Sequence, residues 1–545
     1  VRLAILFAVG LLLRLLFQAS TPDGGTCWHL AFQGDAAIWQ DLAARLAQGI
    51  DDVELRIPWR PPGMTYGIAF LWDGEGATVW PVRMLFTLLG AATAPLFWLL
   101  LRRHVAAPVA WLAAVLCAVS SNLLLLSSGL HAETPYLFFV LLALFDQQRL
   151  ANERAAGAAL RWGLLNGLLC LLRAEHLVVA IVLLAVARWN GASWRALAVA
   201  LAAFAAPLVP WQLHANAQVD AFNRGAPPLP ATDVRWEADA FAALRGLPPV
   251  AQRQVFTFVN ETMRVRGRDV VRTGDLGVVR EAFGCFPEPL RPEFVALQGG
   301  FSFWLSWAPE AAGGHSRKCL DRPPPLVGGD ALYPPNARND RPRGGSFAFE
   351  YPPHLEVFEH GYRRGWEEIA ADPLGALHRL ATKMCYAVEG ATGGVGGYAL
   401  PIGLSGVRPS VDMVIATGVW PTIWRAVVLA TALVGLWLLR RTRELWPLFA
   451  FAAVRLALIA AYFGHARFGA LLLPAVALGV AASLHALSSA RRPRFVEWVA
   501  IALLVALPVL EIVRTCTVHA SIDGRPWLGS GGGRAEYEAH TITFR

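Results

Sequence analysis

The chain has 545 residues, of which 55% are hydrophobic and only 16% charged, with a mean hydropathy of +0.43. A soluble globular chain would be about a quarter charged. The net charge of +8 comes from arginine, because Lys318 and Lys383 are the only lysines. Much of that arginine lies in short loops between apolar runs, which argues for a topology signal and against a nucleic-acid binder.

Apolar runs long enough to form bilayer helices recur along the chain. In order they lie at about 1–18, 80–101, 108–127, 134–148, 160–174, 176–188, 196–213, 411–439, 445–463, 468–488 and 496–514. The first run resembles a signal peptide, but Arg14 interrupts it and no small-x-small cleavage site follows, so it is read as a retained span. The pair at 160–174 and 176–188 has the alternative of a tight helical hairpin. The expected fold class is an all-α polytopic membrane protein of about eleven transmembrane helices, with a mixed, mainly helical and loop-rich outer domain.

One set of short loops holds Arg102 and Arg103, Arg149, Arg154 and Arg161, Arg188 and Arg195, Arg440, Arg441 and Arg443, and Arg491, Arg492 and Arg494. The alternate loops hold almost none. The positive-inside rule makes the arginine-rich set cytoplasmic. The N-terminus is then inside and the C-terminus outside. The organisation expected is a membrane module at 1–213 with an outer loop at 19–79, an outer soluble domain at 214–370, a surface helix and connector at 371–410, further spans at 411–514 and an outer tail at 515–545.

The outer segment reads as amphipathic helices over 236–283, broken at Pro248-Pro249, and as irregular loop over 314–350. Asp372-Pro373 reads as an N-cap followed by a first-turn proline. The helix after it carries Leu374, Leu377, Leu380, Ala381 and Met384 on one face, as suits a helix on a membrane surface. The seven cysteines form no CxxC pair. Cys117 and Cys170 fall in apolar runs and read as packing residues. Cys27, Cys285, Cys319, Cys385 and Cys516 fall outside the membrane, and Cys285 with Cys319 could pair if that side is oxidising.

Four polar constellations gather on the outer face. Asp35 stands at the start of a helical pattern, where an N-cap accounts for it as well as a general base does. Arg60-Pro61-Pro62-Gly63 is a stiff turn that would present a guanidinium to a phosphate, or simply a turn after an arginine. His131 and Glu133 sit at the mouth of a very apolar hairpin, where ionisable groups are costly without a role. His465-Ala466-Arg467-Phe468 forms another mouth, able to hold an anionic headgroup or to snorkel. Arg173-Ala174-Glu175-His176 reads as an internal ion pair that holds a short hairpin.

These features, in this order, resemble the GT-C fold glycosyltransferases, in particular glycosyltransferase family 39 and its bacterial relatives. That family includes the protein O-mannosyltransferases and the aminoarabinose transferase of lipid A. The resemblance covers about 1–213 and 370–490, and rests on Gly34-Asp35-Ala36, Arg60-Pro61-Pro62, Glu133, Arg173-Ala174-Glu175, the helix from Pro373, and His465 to Phe468 with Pro474. The family often has a second acid after the first, where this chain has Ala36. The resemblance implies a polyprenyl-phosphate sugar as donor and a glycan, lipid or protein as acceptor, with no nucleic acid. It places the chain in the bacterial inner membrane with a periplasmic site. Asp35 would be the base of an inverting displacement, and Arg60, His465 and Arg467 would face the donor phosphate. Glu133 would orient the acceptor, with His131, Arg173 and Glu175 in support. No cofactor is fixed. A divalent metal, Mg²⁺ or Mn²⁺, would fall to Asp35 and Glu133.

The competing readings are an O-antigen ligase or polymerase, which relies on Arg and His of a large outer loop, and a transporter. A transporter is disfavoured by the absence of a visible sequence repeat and by the gathering of polar groups at one face. A non-catalytic envelope anchor would not need so many spans.

Overall fold

The computed structural model describes residues 1–19, 35–50, 55, 58–71, 80–150, 156–225, 228–283, 288–311, 313, 352–392, 419–488, 495–503 and 505. The chain divides into two compact units. One comprises Val1–Ile50, Pro61–Val209 and Thr382–Phe544; the other comprises Asp51–Arg60 and Pro210–Ala381.

Among the described residues the first unit contains helices and no strand. It contains α1 (Arg2–Ala19), α2 (Asp35–Ala47), α3 (Pro62–Phe70), α4 (Trp80–Leu101), α5 (Ala107–Ala118), α6 (Ser121–Ser128), α7 (Glu133–Gln147), α8 (Ala156–Leu172), α9 (His176–Trp189) and the start of α10 (Trp194–Arg224). Its later helices, named here in advance of the second unit's, are α17 (Val419–Leu439), α18 (Trp446–Ala461), α19 (Ala466–Ala470) and α20 (Leu473–Ser488). Residues 495–503 are also helical. The core joins α1, α4, α5, α7, α8, α9, α18 and α20 through side chains such as Phe97, Val140, Trp162, Leu183, Phe451 and Leu478. Leu12, Leu164, Leu168, Ile181, Val427 and Trp437 point outward, which is the inside-out surface a bilayer requires.

Each of the eleven predicted apolar runs contains helix, and among the described residues four helices are long and apolar enough to cross a membrane: Pro81–Leu101, Trp194–Arg224, Thr422–Leu439 and Arg443–Ala461. A fifth arises if Ala107–Ala118 and Ser121–Ser127, bent by 50° relative to each other, count as one broken span. The runs at 160–174 and 176–188 are helices of 17 and 14 residues, and the run at 468–488 is divided between α19 and α20. Hydropathy registers an apolar run whether or not the helix within it is unbroken, and the described helices do not confirm the count of eleven. Arg14 is buried within α1. Its Nη1 donates to Gly10 O at 2.9 Å and lies 3.5 Å from Ala118 O, a carbonyl freed where the broken pair bends.

The second unit contains β1 (Arg235–Trp236), α11 (Ala238–Arg245), α12 (Pro249–Val265), β2 (Val270–Val271), α13 (Gly277–Phe283), α14 (Gln298–Trp307), α15 (Pro352–Ala371) and the start of α16 (Pro373–Ala391). The predicted break at Pro248-Pro249 holds, with Pro249 in the first turn of α12. The two short strands pair in parallel, Arg235 with Val270 and Trp236 with Val271. Trp236 stacks on Phe256 at 5.0 Å and donates its Nε1 hydrogen to Asn260 Oδ1 at 2.9 Å. Phe301 of α14 stacks on Phe358 of α15 at 4.7 Å.

Asp372 is the predicted cap: Gly375 N donates to its Oδ1 at 2.9 Å and α16 starts at Pro373. The helix that follows is amphipathic in reverse. Leu374 and Leu377 are exposed, while Arg379 and Lys383 are buried. That orientation suits leucines turned to lipid and cations turned to protein. Cys117 and Cys170 are buried as expected, and Cys385 is exposed. Cys27, Cys285, Cys319 and Cys516, like the 314–350 loop, lie outside the described residues.

Candidate functional site

The densest group of buried charges in the first unit forms where α7 begins. Glu133, the first residue of α7, is 2% exposed. Its Oε1 accepts from Arg173 Nη1 at 2.6 Å and lies 3.9 Å from Arg467 Nε. Arg173, just after α8, also donates its Nε hydrogen to Glu175 Oε1 at 2.6 Å. That same oxygen lies 3.3 Å from Nη1 of Arg455, a residue of α18 that is 1% exposed. Among the described residues, three guanidiniums thus gather around two carboxylates.

Phe468 is the hub of the three cations. The guanidiniums of Arg173, Arg467 and Arg455 lie 4.7, 4.9 and 6.0 Å from its ring centre. An aromatic face attracts cations and lets them gather with less mutual cost. His465 caps α19 and packs edge-on to Phe468 at 5.0 Å, with Phe463 at 5.6 Å. Behind the charges, His176 Nε2 donates to Asn166 Oδ1 at 2.9 Å and its Nδ1 accepts from Tyr136 Oη at 2.8 Å. This neutral, fully buried chain fixes the helix start that follows Glu175.

Two glycines let the backbones come close enough to assemble the cluster. A Cβ on Gly63, at the start of α3, would lie 2.9 Å from Leu171 O and Leu172 Cα, immediately before Arg173. A Cβ on Gly390 would lie 1.8 Å from Ala466 O, within the His465–Arg467 turn. Asn122 of α6 donates to Gly390 O at 2.9 Å and holds the same approach from the other side.

The structure therefore brings together Glu133, Arg173, Glu175 and Arg467, with His465 against Phe468. His131 is buried two residues before Glu133. The expected Arg173–Glu175 pair is present, but Arg173 also reaches Glu133, so it bridges two carboxylates instead of only closing a hairpin. Asp35 is the first residue of α2, and its side chain lies outside what is described. Arg60 belongs to the second unit. Its guanidinium covers Trp59 at 4.3 Å, Trp59 meets Phe358 edge-on at 6.5 Å, and Leu297 N donates to Pro58 O at 2.9 Å.

Sequence reasoning missed Arg455, Tyr136 and Asn166. Arg455 carried a signal, being an arginine inside an apolar run. A divalent metal at Glu133 does not fit the residues around it, because the carboxylate already faces two guanidiniums that would repel a cation. No group of three or more metal-ligating side chains occurs among the described residues. Glu133 Oε2 is buried without a hydrogen-bond partner among the described residues, so this oxygen has capacity for a substrate hydroxyl.

In the second unit, burial and the neighbouring Glu359 carboxylate raise Glu293 to about 7, against a bond from Gly299 N–H. Burial raises Glu359 as well, although Arg291 pairs with it at 2.8 Å. Beside Glu293, Val295 has φ +65°, a strained value for a β-branched residue. Gln212 holds it there, accepting from Val295 N at 3.0 Å and donating to Glu293 O at 2.9 Å.

No protein-family model matches the chain, and no curated protein matches it. Among solved structures it is similar to the oligosaccharyltransferase of Archaeoglobus fulgidus tethered to an acceptor peptide containing the NVT sequon. The identity is 12% and the TM-score 0.40, over 94% of this chain and 55% of that one. It is also similar to the archaeal oligosaccharyltransferase AglB from the same organism in complex with an inhibitory peptide and a dolichol-phosphate, at 14% identity and TM-score 0.39, over 95% and 56%. ArnT from Cupriavidus metallidurans bound to undecaprenyl phosphate follows at 13% identity and TM-score 0.31, over 89% and 78%. The chain spans about half the length of the archaeal proteins. At these TM-scores the likenesses stand as similarities alone.

Proposed function

We propose that this chain is a membrane glycosyltransferase that moves a sugar from a polyprenyl-phosphate donor to an acceptor at the outer face of a bacterial inner membrane. The observation that carries the reading is the buried gathering of Arg173, Arg455 and Arg467 at the start of α7, inside a helical unit with an apolar exterior. Buried charge is costly unless matched. A phosphate is a group that would match it, and a polyprenyl tail needs the apolar surroundings.

The chemistry then requires little. A phosphate monoester leaves readily, so the acceptor needs one base and the leaving group needs charge stabilisation. Asp35 takes the proton from the acceptor hydroxyl. The hydroxyl oxygen attacks the anomeric carbon, the bond to the phosphate oxygen breaks on the opposite side, and the configuration inverts. Arg467, Arg455 and His465 stabilise the charge that grows on the departing phosphate. Glu133 Oε2 orients the acceptor, while Arg173 and Glu175 hold Glu133 and Arg455 in place.

The test is mass spectrometry of lipid-linked sugars in cells that lack the protein. The reading expects one polyprenyl-phosphate sugar to accumulate and one envelope glycan, lipid or protein to lose that sugar. Unchanged donor pools with an unchanged envelope would sink it.

A further inference from the structure

A second charged group lies at the other end of α7. Asp146 is thirteen residues beyond Glu133, about 20 Å along the helix axis. It is 2% exposed and accepts a forked pair of bonds from Arg161, at 2.8 Å from Nη2 and 3.1 Å from Nε. Arg149 Nη1 lies 3.9 Å away, too far for a hydrogen bond, and its guanidinium sits 4.4 Å above the Phe145 ring. Both arginine side chains are about half exposed, at 46% and 54%.

These groups form the mouth of a cavity of about 490 Å³. Leu142 and Phe145 of α7 form one wall, and Leu164, Leu165 and Leu168 of α8 form the other. Among the described residues, two guanidiniums against one carboxylate leave a positive mouth on an apolar groove. The groove is open at the outer surface, where Leu164 and Leu168 are exposed.

We propose that this groove binds one anionic glycerophospholipid, with an acyl chain between α7 and α8 and the phosphate on Arg149 and Arg161. The occupant follows from charge complementarity. An anionic headgroup cancels the excess positive charge, whereas a zwitterionic one would bring a second cation beside two guanidiniums. Asp146 is the positioning residue, since it fixes the Arg161 fork while leaving Arg149 to turn toward the lipid. The site is separate from the Glu133 cluster and does not depend on the sugar-transfer reading.

The test is native mass spectrometry of the full chain released from nanodiscs of mixed phosphatidylglycerol and phosphatidylcholine. The wild type should retain phosphatidylglycerol in preference. Arg149→Gln, which leaves the Asp146–Arg161 bonds in place, should lower that preference about fivefold, the worth of one basic residue at a lipid surface. Leu165→Trp, which fills the groove, should lower retention of both lipids. Equal retention of the two lipids by the wild type would overturn the proposal, as would undiminished preference in Arg149→Gln.

Discussion

The two ends of α7 carry the same motif with different surroundings. At each end one buried carboxylate faces two arginines. At the Glu133 end the arginine side chains are 12% and 8% exposed, while at the Asp146 end they are about half exposed. At the Glu133 end one carboxylate oxygen is left without a bond among the described residues, whereas both oxygens of Asp146 accept from Arg161. The first arrangement keeps its charges from water and has capacity to spare, as a reaction site needs. The second is saturated inside and wet outside, as a headgroup contact needs.

The comparison is broken most easily by deleting each carboxylate. Glu133→Ala removes a buried carboxylate from Arg173 and Arg467, and should cost about 3–5 kcal/mol of stability. Thermal unfolding in detergent measures it. A loss near zero would show that water reaches those arginines.

A smaller effect is expected from Gly390→Ala. The new methyl would press on Ala466 O and displace the His465–Arg467 turn, at about 1–3 kcal/mol. Unchanged melting would mean that α16 and α19 can move apart freely.

The second unit supplies a contrast of another kind, because Glu293 is raised without an arginine of its own. A folded value near 7 against an ordinary 4.5 means that the native state holds a proton the unfolded chain releases. Its contribution to stability is full below about pH 4.5 and is lost as pH rises through 7. Glu293→Gln should flatten melting temperature against pH across that window. An equally steep profile in the variant would assign the effect elsewhere.

The smallest effect belongs to Asp146→Ala. Arg149 and Arg161 can turn to water, so the loss should be about 1 kcal/mol or less. A loss as large as that of Glu133→Ala would erase the distinction between the two ends.

Much of the Glu133 end was legible in the sequence, for a physical reason. Charged residues at the ends of apolar runs stand out against hydropathy, and Glu133, Arg173, Glu175, His465 and Arg467 all do so. Arg455 lies inside its run and not at an end, and its partner Glu175 is 280 residues away, so its signal as an intramembrane arginine named no partner. The His176–Tyr136–Asn166 chain is equally hidden, because no local pattern pairs residues from three helices. Apolar runs do not reveal bends such as the one at Val119 and Ser120 between α5 and α6, so hydropathy alone does not say which runs are single unbroken helices. The Arg60 turn was read as phosphate-facing or as a plain turn after an arginine, and neither reading foresaw its guanidinium over Trp59.

The central claim is that the start of α7 is a sugar-transfer site in which Asp35 is the base. The direct measurement is sugar transfer from a purified polyprenyl-phosphate donor in proteoliposomes, comparing the wild type with Asp35→Asn at equal protein. Loss of the base should lower turnover by about two to four orders of magnitude, with melting unchanged. Full turnover in Asp35→Asn would contradict the account.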